Sequence, residues 1–401
     1  MLVKIGYRNL LRNKRRTVNV LLTVAFGTAS LFLFHGFNAS VMDLYRENTI
    51  KSRWGNGQIN TPGYRAQVFE KPWEHWIQNP EPVIKTLSAI PSVQYVFPRM
   101  EFFSLISNGK MNMAGRGQGV DGATEAKFFN NMNFVAGHNL EGEVDGIVVG
   151  RGLATAMNAK IGDRLTLLTN TVHSSINGAD TTLTGIFHTG IKEFDDSFFR
   201  VPLKLAQTLL DVNSVESISL GLDSYQNWDK AAAEIKEKLP DYEATPFNVL
   251  DEIYYQHSVD WLKSQFTIFQ TIIITVVILG IFNTVSTSIL ERKQEIGNLR
   301  ANGESAGDVL AMLFWEGTFM GIAGGLLGLI IGLFIAQVLL ANGITMPPAP
   351  GITRTFHFPI QLQPEMGMQT FVMGLMACIF ATALAGFKVS RQPIADLLRA
   401  V

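Results

Sequence analysis

The chain has 401 residues, of which 47% are hydrophobic and only 17% charged. Soluble proteins carry about a quarter charged residues, so part of this chain is predicted to avoid water. A formal net charge of −1 excludes nucleic acid as an electrostatic partner of the whole molecule, and the lone cysteine, Cys378, excludes a disulfide framework.

The first segment, residues 1–16, carries Lys4, Arg8, Arg12, Lys14, Arg15 and Arg16 and no acid. Ile5, Leu10 and Leu11 alternate with these cations at helical spacing, which predicts an amphipathic helix on the anionic cytoplasmic leaflet. Residues 17–42 follow as an uncharged run, with VLLTVAFGTASLFLFHGF at its centre. A helix of ~20 apolar residues crosses the hydrocarbon of a bilayer, and this run exceeds the apolar stretch of a cleaved signal peptide, so it reads as a retained span.

Residues 43–263 are polar and mixed in texture. Strand-like runs occur at Gln58–Thr61, Val93–Phe97, Gly146–Val149, Arg164–Thr169, Thr181–Phe187 and Ser217–Leu222. Helical patterns occur at Pro82–Ile90, Gly152–Ala159, Leu203–Leu210 and Asn227–Leu239. The predicted unit is a large α+β extracytoplasmic domain with a stalk, since both of its ends, Ala39–Ile50 and Val249–Gln265, read as helix.

Three further spans are predicted at 264–290, 309–340 and 367–387, separated by a cytoplasmic loop at 291–308 and an outer loop at 341–366, with a tail at 388–401. Basic residues set the direction. Arg292, Lys293 and Arg300 lie in the first loop and Lys388, Arg391 and Arg399 in the tail, whereas the outer loop holds only Arg354. Both termini are therefore expected in the cytoplasm and 43–263 outside, in the inner (plasma) membrane of a cell. The fold class expected is an α-helical membrane protein with four transmembrane helices and an α+β domain between the first two.

Candidate chemistry is sparse. His75, His138, His173, His188 and His257 lack metal-ligand spacing, and Asp195-Asp196 reads as an exposed acidic turn, so no metal site is predicted. The run from Gly115 to Gly119 lacks the Lys-Ser/Thr of a phosphate loop, and no G-x-S-x-G elbow occurs, so no catalytic residue is predicted. The 291–308 loop is more informative. It reads as a short polar helix, stopped by Asn302-Gly303, of a size that suits a groove on a soluble partner. Glu316, inside the apolar run that follows, is costly to bury and calls for a partner or the interface. Gly317, Gly321, Gly324, Gly325, Gly328 and Gly332 form a small-residue surface for helix packing, within the chain or across a dimer.

The same stretch, ERKQEIGNLRANG followed by Glu316-Gly317, resembles the FtsX-like permease domain of the MacB, LolC/LolE and FtsX group of ABC transporters, whose loop reads E-R-x-x-E-I-G-x-x-x-A-x-G before an E-G pair. Asn298 and Asn302 depart from that pattern. GVDGATEAKFF and FVAGHNLEGEVDGIVVGRGLATAMNAKIGDRLTLL resemble the family's MacB-type outer core domain, and the tail from Arg391 to Arg399 is similar to its Pro-x-x-x-Leu-Arg ending. The proline-rich outer loop at 346–351, with Pro347, Pro348, Pro350 and Gly351, is longer than in well-known members.

The resemblance implies a dimer of permease chains, homodimer or paralogue pair, over a cytoplasmic ABC ATPase subunit. That subunit binds the ATP and magnesium, and this chain binds no cofactor and is not an enzyme. It assigns ATPase coupling to Glu291, Arg292, Lys293, Glu295, Ile296, Gly297, Arg300, Ala301 and Gly303. It implies mechanotransmission, by which an amphipathic cargo (lipoprotein, lipid, peptide or drug) is extracted or exported from the outer leaflet or periplasm. The alternative it leaves open is a relay that activates a periplasmic partner such as a cell-wall hydrolase.

Overall fold

The structure, a computed structural model, describes residues 10, 12, 14–67, 71–130, 132–347, 355–358 and 360–398. The proline-rich loop and the basic leader fall largely outside these residues. The chain divides into two units, one formed by residues 1–43, 260–345 and 357–401, the other by 44–259 and 346–356.

In the first unit the apolar runs form helices α1 (Lys14–Thr49), α2 (His257–Leu290), α4 (Ala306–Phe334) and α5 (Pro364–Ser390), all long and apolar enough to cross a membrane. Between α2 and α4 lies the short α3 (Lys293–Ala301), and α6 (Ile394–Leu398) follows α5. Several hydroxyls in these runs are absorbed locally. Thr271 donates to the Thr267 carbonyl, Thr318 to Phe314, Thr370 to Met366 and Thr382 to Cys378, at 2.7–2.9 Å. No polar hydrogen is thereby offered to lipid from those side chains.

The glycines of α4 fall in two columns, each at i, i+4 and i+8. A methyl group on Gly317, Gly321 or Gly325 would strike Thr382, Leu375 or Phe371 of α5 within 2.8 Å. One on Gly324, Gly328 or Gly332 would strike Val24, the Ala25 carbonyl or Phe32 of α1 within 2.9 Å. The small-residue surface thus seats two helices of the same chain, and backbone approach replaces side-chain interdigitation. By contrast α2 keeps Trp261, Ile268, Phe269, Ile272, Val276 and Leu279 exposed. It meets α1 through Val277 beneath Gly27, a Thr23–Thr284 hydroxyl contact of 3.5 Å and Phe266 edge-on to Phe34 and Phe37.

The second unit is built on ten strands: β1 (Gly57–Asn60), β2 (Val93–Ser107), β3 (Asn112–Val120), β4 (Phe134–Gly137), β5 (Gly146–Gly150), β6 (Arg164–Asn170), β7 (Ile176–Phe187), β8 (Phe198–Pro202), β9 (Ser217–Leu222) and β10 (Glu243–Pro246). Every strand expected from the sequence is present, several of them longer. The pairing runs β10-β1-β9-β2-β3-β8-β5-β7-β4, with β6 joining β7 back to β2. Following β2-β3-β8-β5-β7-β6 returns to β2, so six strands close into a ring. Its inside is apolar, with Met100, Phe102, Ile106, Ile147, Val149, Leu165, Leu183 and Phe199 buried.

The 15-residue β2 serves both halves. Residues 93–99 pair with β9 in an open four-stranded sheet, and 100–107 pair with β3 in the ring. Helices Pro80–Ser88 and Trp228–Lys238 cover the open sheet, burying Val83, Leu87, Trp228, Ala231 and Ile235. Where β2 passes from one half to the other, Arg99 is fully buried and gripped by Glu125, which receives Nε and Nη2 at 2.7 Å each. Arg200 adds a third charge, 3.3 Å from the same carboxylate, and the Phe129 ring lies 4.2 Å from the Arg99 guanidinium carbon.

Candidate coupling site

After α2 the sequence changes from apolar to charged, and α3 starts once Glu291 and Arg292 have turned the chain. Arg292 points back into the helices. Its Nη1 donates to Glu316 Oε2 at 2.6 Å and its Nη2 to Glu316 Oε1 at 3.4 Å, with side chains only 9% and 4% exposed. A bidentate guanidinium–carboxylate pair is the arrangement in which two such charges tolerate removal from water. The partner that Glu316 required is thus the second residue of the preceding loop.

The pair extends outward. Arg292 Nε donates to Glu295 Oε2 at 3.0 Å, and Glu295 Oε1 takes Arg12 Nη2 at 3.0 Å. Arg16 makes a separate bridge to Glu291 at 2.8 Å. Burial opposes the charge on Arg292, but the Glu316 and Glu295 carboxylates more than offset it and raise its pKa. Burial also works against the Glu295 carboxylate, and Arg292 and Arg12 hold its pKa below the usual value. Two leader cations, expected on lipid headgroups, therefore lie on the loop.

The other side of α3 is fixed by the tail. Ile296 and Leu397 are both fully buried in one apolar cluster. A methyl on Gly297 would come within 3.0 Å of Leu397 Cβ, so α3 and α6 touch backbone to side chain at this point. Arg300 Nη1 donates to the Ser390 and Gln392 carbonyls at 2.7 and 3.0 Å, and so takes up carbonyls left over where α5 ends. Gly303, at φ 101°, sits in the conformation that stops a helix and suits glycine. Ser305 and Asp308 then form a reciprocal capping box at 3.1 Å that starts α4. Lys293 is half-buried, while Glu291, Gln294, Asn298, Ala301 and Gly303 are exposed. Gln294, Asn298 and Ala301, spaced by four and then three, leave one face of α3 open.

The loop residues are legible in the sequence, but what holds them is not. The pairing of Arg292 with Glu316 and the docking of Arg300 on the tail are long-range contacts, without a local signal. The capping box, Ser-x-x-Asp, is by contrast a local signal in the sequence. Among the described residues no group of His, Cys, Asp and Glu is disposed to hold a metal. The run from Gly115 to Gly119 is part of β3, not a phosphate loop; methyls at Gly115 and Gly117 would strike the rings of Phe199 and Phe102.

The family model for the MacB-like periplasmic core domain matches residues 17–238, and that for the FtsX-like permease C-terminal region matches residues 267–394. The lipoprotein-releasing system transmembrane protein LolE of Haemophilus influenzae is 26% identical over 276 residues, 65% of this chain and 64% of LolE. The corresponding LolC of Neisseria meningitidis is 27% identical over 206 residues, 49% of each chain. The chain spans less than two thirds of the length of either relative. The periplasmic region of MacB from Actinobacillus actinomycetemcomitans shares 14% identity at a TM-score of 0.36, over 51% of this chain and 93% of that one. With more than half of its length matched by the first of these domains, the chain belongs to the FtsX-like permeases that carry a MacB-like periplasmic core domain.

Proposed function

We propose that this chain is the permease subunit of an ABC transporter, and that α3 receives the stroke of a separate cytoplasmic ATPase subunit. ATP and its magnesium bind that partner, and this chain contributes motion instead of chemistry. The observation that carries the reading is how α3 is held. Arg292 ties it to α4 through Glu316, Ile296 and Gly297 press it on α6, Arg300 ties it to the end of α5, and one face stays open. A push on that face reaches three other helices without a flexible joint.

The termini and α3 face the cytoplasm in this reading, and the α+β unit faces outside, because the short basic segments flank the same side. Two permease chains pair, and α1 and α2 pass the motion outward because each is one continuous helix of more than 30 residues. The cargo is amphipathic, a lipoprotein or a lipid being favoured by the similarity to LolE and LolC, whose names describe a lipoprotein-releasing system.

The test is Gly297→Val in proteoliposomes with the ATPase that co-purifies with the chain. The branched side chain would wedge α3 off Leu397. Hydrolysis should persist at half the original rate or more while release of a fluorescent lipopeptide falls at least about tenfold. Normal release from a variant that inserts and assembles would remove α3 from the coupling path.

A further inference from the structure

Beside the strand ring, and apart from the α3 residues, lies a cleft of about 730 Å³. Trp73, Phe103 and Val172 line its apolar part, and Glu101, Arg116 and Glu216 its polar part. The alternation of β2 explains the surface. Phe102 and Ile106 point into the ring and are buried, whereas Phe103 and Leu105 point outward and are 77% and 40% exposed. Leu105 sits opposite the equally exposed Leu168 of β6, so apolar surface continues from Phe103 past the cleft. Contiguous exposed apolar surface beside a cavity of drug-sized volume marks a ligand site.

The charges select the ligand. Glu101 and Arg116 satisfy each other through both Nε, at 2.9 Å, and Nη2, and Gln118 donates to the same carboxylate at 3.1 Å. Glu216 has only neutral donors, the Tyr64 hydroxyl and the Glu101 backbone N–H at 2.5 Å. Among the described residues no basic side chain forms an ion pair with it. Glu101 is compensated by Arg116 and also feels the Arg53 and Arg99 charges, whereas Glu216 lines the same cleft as Trp73 and Phe103 without a salt bridge among the described residues. Burial, and then the charge of Glu101, push the Glu216 pKa up to about 8, against the weaker pull of Arg116. A carboxyl group without a counter-cation, in a cleft that aromatic side chains also line, is suited to an ammonium group.

We propose that this cleft binds a cationic amphiphile, a protonated amine on an aromatic or alkyl body, with the amine against Glu216 and the body along Trp73 and Phe103. Binding here is independent of the coupling reading, and its test involves no ATPase.

The full chain in lipid nanodiscs is titrated calorimetrically with 4-phenylbutylamine, 4-phenylbutanol and 4-phenylbutyrate, with empty nanodiscs subtracted for partitioning. The amine should bind about tenfold or more tightly than the alcohol, and the acid most weakly. Glu216→Gln should bring amine and alcohol within about threefold of each other. Trp73→Ala and Phe103→Ala, both on the exposed rim, should weaken amine and alcohol together and leave folding intact. For the original chain, amine affinity should rise between pH 6 and pH 8 as Glu216 ionises, because alkyl amines stay protonated until about pH 10.4. Glu101 is held below its usual range, and Arg116 and Tyr64 above theirs, so the rise should vanish in Glu216→Gln. Three results would each overturn the assignment: no saturable amine binding, alcohol bound as tightly as amine, or discrimination surviving in folded Glu216→Gln.

Discussion

Each unit buries an arginine–glutamate cluster, and the two are built to opposite ends. In the α+β unit Arg99, Glu125 and Arg200 are sealed, with side chains no more than 1% exposed. In the helical unit the chain of contacts starts at Glu316, 4% exposed, and ends at Arg12, 65% exposed. A sealed cluster has one low-energy arrangement, since any displacement strands a charge out of water. A cluster that grades into solvent can rearrange, because water takes over each contact that is released. The first suits a fixed junction between two sheet halves, the second the movable helix that the proposed coupling calls for.

That contrast can be broken at several points. The largest effect is expected for Glu125→Ala, which leaves Arg99 and Arg200 buried without their salt-bridge partner and with only the more distant Glu101 charge. It should cost about 3–5 kcal/mol, read as a lowered midpoint in urea unfolding. Replacing all three charged residues with apolar ones of similar volume should cost far less, and if it costs as much the cluster contributes more than mutual compensation.

Glu316→Gln comes next, with an expected loss of about 1–3 kcal/mol in thermal unfolding. Arg292 keeps Glu295 and a route to water, which limits the damage. A loss as large as that at Glu125 would mean that this pair is also sealed. Arg12→Ala should be smallest, within about 1 kcal/mol of the original chain, and its salt dependence should be slight above about 0.15 M.

Much of this was legible from the chain. The spans are visible because lipid demands ~20 uncharged residues in sequence, which is a local property. Glu316 announced its need for a partner for the same reason, but Arg292 is brought to it only by a turn and two helix starts. β2 was readable as far as Phe97 and then hidden by Pro98. Proline is tolerated there because residues 93–99 pair with β9 alone, so its missing N–H costs no ladder bond. β3 was hidden by its glycines, which have poor strand propensity but clear the space for the Phe102 and Phe199 rings. The cleft was not legible at all, since Trp73, Glu101 and Glu216 meet only after the ring closes.

Closure of that ring has one more consequence. Within the ring β2, β3, β5, β6, β7 and β8 each pair with a strand on either side over part of their length, which leaves a partner little edge to extend. Only β10 and β4, four residues each, stand at the ends of the order. β10 carries Glu243 and Pro246, and β4 stops at Gly137 with φ 67°, which are features that discourage growth of a sheet. Edge-to-edge growth of the sheet is thus discouraged, and side-chain surfaces make up most of what the domain offers a ligand.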